Sequence, residues 1–368
     1  SGKIAHLIPP EISKTNMLAQ IISSDSSAII CSNTIFYKIS KYETIKIPIF
    51  QLDDIKKIKG NQIIDSQPND MAYLVYTSGT TSVPKGVGVT HSMVDFTTKN
   101  IIHVLKYSNL DIDVLPLPLH HSFGLGCLHT SLYVGSTLIL LKNTNDLQRI
   151  LEIIKKYNAT TLAVIPATLT KFLKFNETEL INHFSSIKLI ITNSTKIPIN
   201  TIQNFKKIIS NGHLATYYGL TEASRSTFMI FDKDSSYDES VGKPAPGIKI
   251  KIVNDTQKSK RGEIWIKGDN VIKKYWENTQ ADKNLIDGWL KTGDLGYIDD
   301  SEYLYLLGRS DDVINIGGEK VMPDEIEKVV KQIVGVENVV AFGIDHEIFG
   351  QVIKLHVIKS SNSDLDKS

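Results

Sequence analysis

Four short runs constrain this chain most: Ala28-Ile29-Ile30-Cys31, Tyr73-Leu74-Val75-Tyr76, Thr137-Leu138-Ile139-Leu140-Leu141 and Leu189-Ile190-Ile191-Thr192. Their apolar residues are consecutive rather than alternate, so each run needs cover on both faces, as a strand inside a mostly parallel sheet does. Between the runs the period changes. In 145–156, Leu147, Ile150, Leu151 and Ile154 recur at helical spacing behind an Asn145-Asp146 cap, and Ile202, Phe205 and Ile209 make a second such stripe. Strands alternating with helices predict an α/β layered architecture.

The texture changes after Ser240. Ile248 to Val253 and Glu263 to Lys267 alternate in period two between Gly and Asp turns, which predicts a small antiparallel sheet or barrel. From about Arg309 a further unit begins, with a helix opened by Pro323 and strands at Val339–Gly343 and Val352–Ile358. At 368 residues the chain exceeds what one core usually supports. The expected division is therefore a large N-terminal domain over 1–308 and a small α+β domain over 309–368, with a hinge near Gly308-Arg309.

Lys plus Arg number 41 and Asp plus Glu 40, a balance that gives no global attraction to nucleic acid or to anionic membranes. No window approaches a membrane-spanning apolar length, and the start has no charged segment followed by an apolar one. Cys31 and Cys127 are too few and too far apart for a disulfide framework or a cysteine zinc site. A reducing cytoplasm fits this usage.

The second apolar run leads into Tyr76-Thr77-Ser78-Gly79-Thr80-Thr81-Ser82-Val83-Pro84-Lys85-Gly86. Such a loop can wrap backbone N–H groups and hydroxyls around a polyphosphate while Lys85 supplies a mobile charge. It is not the Walker A pattern, which cannot be laid on Gly79 to Gly86. Tyr217-Tyr218-Gly219-Leu220-Thr221-Glu222 offers a ring to stack on a purine (Tyr218), a hydroxyl for phosphate (Thr221) and a carboxylate for Mg²⁺ (Glu222). Gly293-Asp294-Leu295-Gly296 isolates one carboxylate suited to a ribose, and Gly308-Arg309-Ser310-Asp311-Asp312 adds a guanidinium. Taken singly, the second is equally packing and a turn, the third a Gly-Asp turn joining two strands, and the fourth a surface ion cluster. Pro118 to Gly126 carries His120 and His121 at the end of a run from Val114. Adjacent residues of a strand point to opposite sides, so the pair is a poor joint metal site. Gly-x-Ser-x-Gly is absent, which leaves a hydrolase reading little support.

The order and spacing of these pieces resemble the adenylate-forming superfamily: acyl- and aryl-CoA synthetases, peptide-synthetase adenylation domains and luciferases. Val241-Gly242-Lys243-Pro244 and Gly262-Glu263-Ile264-Trp265 add supporting matches, and the resemblance covers essentially the whole chain. It implies that Thr77, Ser78, Gly79, Thr80, Thr81 and Lys85 embrace the ATP phosphates. Asn193, Ser194, Thr195, Tyr218 and Gly219 would line adenine, Thr221 and Glu222 would serve phosphate and Mg²⁺, and Asp294 and Arg309 would bind ribose. Asp311 would be the hinge, His121 would line the acyl pocket or gate the thiol channel, and Gly317-Gly318 would pass a pantetheine arm.

The implied reaction joins a small carboxylic acid to AMP and passes the acyl group to CoA or to the phosphopantetheine of an acyl carrier protein. The other readings are a catalytically impaired nucleotide- or acyl-binding relative and an amino-acid adenylation domain, for whose amine clamp Asp111 and Asp113 are candidates by proximity alone. The resemblance also implies a catalytic lysine in a Pro-Lys-Thr-x-x-Gly-Lys segment, whereas the sequence stops at Lys367-Ser368, so the small domain is expected to be truncated. Ser82 stands where the family usually has glycine.

Overall fold

The described residues of the computed structural model are 3–55, 65–77, 85–209, 211–231, 236–254, 260–277, 281–316 and 319–360. A seven-stranded sheet forms the centre, in the order Lys243–Pro244, Ala223–Phe231, His213–Leu220, Leu189–Thr192, Thr161–Val164, Ile112–Leu115, Thr137–Leu140. The pairings from His213–Leu220 through to Thr137–Leu140 are all parallel, and the other two strands add antiparallel to one side.

Of the consecutive apolar runs, Leu189–Thr192 meets its expected fate at the sheet's centre, whereas Thr137–Leu140 is the edge strand and leaves Leu140 exposed, having a strand neighbour on one side alone among the described residues. Thr161–Val164 and Leu189–Thr192 are buried at every position. Alternate residues serve opposite faces. Val114, Leu162 and Ile190 join one core, with Ile150, Leu151 and Ile154 from helix Leu147–Tyr157 and Ile202 and Phe205 from helix Ile199–Ile208. Leu115, Ala163, Leu189 and Ile191 join the other, with Ile101 and Leu105 from helix His91–Leu105 and Phe123 and Cys127 from helix Ser122–Val134. The predicted cap also holds: Asp146 accepts a hydrogen bond from Arg149 N at 3.1 Å.

A second sheet pairs Met71–Thr77 parallel to Ala5–His6 and antiparallel to Lys85–Thr90. The run at Tyr73–Tyr76 is thus a strand of a mixed sheet. Ile29–Cys31 departs further from expectation. Among the described residues it pairs with Ile49–Gln51 alone, and Ile30 is 59% exposed. The alternating segments after Ser240 do form an antiparallel five-stranded sheet, from Lys249–Val253, Gly262–Lys267, Leu285–Ile286, Trp289–Ile298 and Leu304–Arg309. The last sheet contains Ile314–Ile316, Glu319–Val321, Val336–His346 and Gly350–Lys359, with helix Pro323–Val330 opening on its proline.

Phe172, Phe184 and Phe205 are fully buried, with Phe184 edge-on to both others. Truncating Phe205 to alanine removes one of the two rings packed on Phe184. The expected loss is about 3–5 kcal/mol, read as a lowered urea midpoint with an unchanged slope.

Candidate active site

In an open parallel sheet, ligands settle beyond the carboxyl ends of the strands, where the chain leaves for the next helix. Asn193, Ser194 and Thr195 follow Leu189–Thr192 at that edge, and Tyr218 to Glu222 follow from the adjacent His213–Leu220. Ser194 sits at φ +102, a region a side-chain-bearing residue rarely adopts, which is the kind of backbone strain that gathers at functional sites. The register of His213–Leu220 against Ala223–Phe231 shifts between Tyr218 and Leu220; Leu220 then pairs with Ala223, so Thr221 and Glu222 are the two-residue turn joining the strands. Gly219 is needed there: a Cβ would come within 2.6 Å of Ala223 O.

These residues form one wall of an open cleft of about 770 Å³, which Thr77, Lys85, Asp294 and Arg309 also line. Thr77 and Lys85 face each other as Cα partners at the paired ends of their strands. Asp294 and Arg309 are partners across the five-stranded sheet. Arg309 Nη1 donates to Asp294 Oδ1 at 2.8 Å and to Thr292 O at 3.2 Å, while Tyr218 OH donates to Asp294 Oδ2 at 2.6 Å. Burial, and then the Asp294 charge, hold the Tyr218 phenol well above its ordinary range, so it remains a donor. Among the described residues Arg309 Nε is buried without a hydrogen-bond partner. Tyr275 OH donates to Glu222 Oε1 at 3.1 Å, and burial and that carboxylate raise its pKa.

The sequence had Gly293-Asp294 as a possible turn joining two strands; it lies inside the single strand Trp289–Ile298, where the register against Gly262–Lys267 shifts between Lys291 and Leu295 and Gly293 takes φ +72. Nor do His120 and His121 sit on a strand. Pro116 and Pro118 follow Ile112–Leu115, where the missing N–H groups end the ladder, and the chain turns so that the two rings lie 4.3 Å apart. His121 stands at the N-cap of helix Ser122–Val134; Ser122 borders the cleft, but His121 is not among its lining residues.

Asp311 lies exposed in the turn Ser310–Asp312, between the five-stranded sheet and Ile314–Ile316. Asp111 and Asp113 are engaged elsewhere. Asp111 binds Lys188 and Thr160, and Asp113 accepts from Ser131, Ser136 and Thr161, pinning the sheet. Ser78, Gly79, Thr80, Thr81, Gly317 and Gly318 lie outside the described residues. Sequence reasoning missed Tyr275 and Arg225, both lining the cleft; the only hint of Arg225 was a charge within an otherwise uncharged strand.

The sequence matches the profile of the AMP-binding enzyme family over residues 2–276. The chain belongs to that family. It is 32% identical over 306 residues to a long-chain-fatty-acid–CoA ligase of Haemophilus influenzae, covering 80% of this chain and 54% of that protein. It is 27% identical over 358 residues to a 2-succinylbenzoate–CoA ligase of Oceanobacillus iheyensis, covering 95% and 73%. Among solved structures it matches the o-succinylbenzoate CoA synthetase of Bacillus subtilis in complex with its acyl-adenylate intermediate, at TM-score 0.85 and 28% identity over 98% of this chain and 74% of that one. The chain thus spans about half the length of the Haemophilus relative, and the fold of a large N-terminal region followed by a small α+β unit is that of the adenylate-forming enzymes.

Burial holds the imidazoles of His6, His120, His121 and His129 below their ordinary 6.5. As pH falls through that value the unfolded chain takes up protons that the folded chain does not, so stability drops below about pH 6.5. The melting temperature should therefore be lower at about pH 5.5 than at about pH 7.5, with a shallower dependence in His129→Gln.

Proposed function

We propose that this chain activates a carboxylic acid with ATP, forming an acyl adenylate, and transfers the acyl group to the thiol of CoA. The observation that carries this reading is one cleft in which Thr77 and Lys85, the Thr221-Glu222 turn and the Tyr218–Asp294–Arg309 network face a common space. Its support is the family membership and the similarity to proteins named as CoA ligases. A related structure, at 27% identity, holds ATP and a magnesium ion.

The donor set fits these ligands. Asp294 spends one oxygen on Tyr218 and one on Arg309, leaving lone pairs for the two hydroxyls of a ribose. Among the described residues no cluster of His, Cys, Asp or Glu would hold a metal unaided. Mg²⁺ does not need one, since it is commonly held by one or two carboxylates together with substrate phosphates, and Glu222 supplies a carboxylate beside Thr221. The ion's contribution is to neutralise charge on the phosphates.

Lys85 and Thr77 would grip the β- and γ-phosphates, and Asn193 to Thr195 with Tyr218 and Gly219 would frame the adenine. A carboxylate oxygen of the acid then attacks the α-phosphorus, and the bond to the bridging oxygen of the leaving pyrophosphate breaks. No strong base is required, because the acid is already ionised. In the second half, the thiol sulfur attacks the acyl carbon, AMP leaves with its oxygen, and the thiol proton passes to solvent. The unit from Arg309 onward would act as a lid turning about Asp311. A carrier-protein phosphopantetheine is the other acceptor with the same thiol chemistry, and His121, beside the Ser122 that lines the cleft, would stand near the acyl end.

Acid-dependent exchange of labelled pyrophosphate into ATP tests the reading. Exchange is expected, and Glu222→Ala should lower it about 100-fold or more. Tight ATP binding with no exchange for any acid would identify a non-catalytic nucleotide binder.

A further inference from the structure

Arg225 is the single charged residue of strand Ala223–Phe231, is 4% exposed, and sits at φ +54, where a side-chain-bearing residue is strained. Its Nη1 donates to Ser122 O at 3.2 Å and Ser224 Oγ at 3.0 Å, and its Nη2 to Phe123 O at 3.0 Å. The guanidinium lies 4.6 Å from the Tyr217 ring centroid. Among the described residues no carboxylate forms an ion pair with it. A buried cation satisfied by neutral acceptors alone is unfavourable unless a ligand supplies the missing anion.

Its position gives that charge a purpose. Arg225 borders both the large cleft and a small space of about 20 Å³, roughly room for one water, whose walls mix Val75, Val89, Met93 and Ile101 with Thr98 and Asn270. Across from it Gly126 has no side chain, and a Cβ there would collide with the guanidinium. Ser122, Thr221 and Ser224 border both spaces as well, so the planar cation stands in the way from the cleft to the smaller space. An alkyl tail running past Ser122 would meet that charge.

We propose that Arg225 determines the acid: the preferred substrate is short and ends in a second electronegative group, a carboxylate or carbonyl oxygen, which the Arg225 fork receives. This inference rests on the adenylation reading and goes beyond it by naming the substrate class. It also separates this chain from the long alkyl acid in the name of the Haemophilus relative. Guanidinium geometry matches a carboxylate bidentately, so a terminal carboxylate is the strongest match.

Calorimetry with non-hydrolysable acyl-sulfamoyl adenosines tests this without requiring turnover. The probes are the 4-carboxybutanoyl and dodecanoyl forms, with AMP alone as the reference. The unaltered chain should bind the 4-carboxybutanoyl form about tenfold or more tightly than the dodecanoyl form. The ratio should collapse in Arg225→Met, which keeps bulk without charge, and invert in Arg225→Gly, which suits φ +54 and opens the passage. Equal or tighter dodecanoyl binding by the unaltered chain overturns the inference while leaving adenylation standing. Failure of AMP and of both analogues to bind overturns the adenylation reading, and this inference with it.

Discussion

The cross-strand pair Asp294–Arg309, closed by Tyr218, is the interaction on which the candidate site depends. Its three members come from distant parts of the sequence: Tyr218 from the central parallel sheet, Asp294 and Arg309 from neighbouring strands of the five-stranded sheet. The carboxylate is mostly buried and needs both donors. A phenol whose pKa is raised stays protonated, and a guanidinium stays charged, so the arrangement is the same across the ordinary pH range. By joining the two sheets it fixes the distance between the turn bearing Glu222 and the wall bearing Asp294, and so the width of the cleft. Arg309 is also the last residue of its strand before the turn that leads into the final sheet.

The sequence was most legible where local chemistry and burial agree. Asp146 caps a helix whose apolar stripe is complete, and Leu189–Thr192 is apolar on both faces and buried on both. Ile29–Cys31 is as apolar a run, but coverage of a strand is decided by what packs on it, and among the described residues its one strand partner is Ile49–Gln51. The two histidines lie off the strand expected to carry them, because Pro116 and Pro118 break the ladder after Leu115. The site residues were legible through several short motifs whose order counts for more than any one of them. Their mutual geometry was not, because the Asp294–Arg309 register depends on an irregularity that no sequence spacing reports. Arg225 was missed for a related reason. Three residues beyond Glu222, it reads as a solvated charge beside a turn, whereas the antiparallel return of Ala223–Phe231 carries it under helix Ser122–Val134.

The attachment of the final unit contrasts with that buried network. Between helix Pro323–Val330 and the remainder run Arg261–Glu325 at 2.8 Å, Lys328–Glu239 at 3.3 Å and Lys196–Asp324 at 3.7 Å, every partner well exposed. Exposed pairs of this kind are worth about 0–1 kcal/mol each and are screened by salt. Lys196 and Asp324 both border the cleft, so an entering polyphosphate would compete with Asp324 for the same ammonium. Small binding energies at the cleft are then comparable to what these pairs contribute, which is the condition for a ligand to shift one unit against another. The Tyr218–Asp294–Arg309 network is better insulated from such competition, since its carboxylate is mostly buried and already takes a donor on each oxygen. The adenylation proposed for this chain would ask for that division: a platform that keeps its shape while the surface facing it changes between the two halves of the reaction.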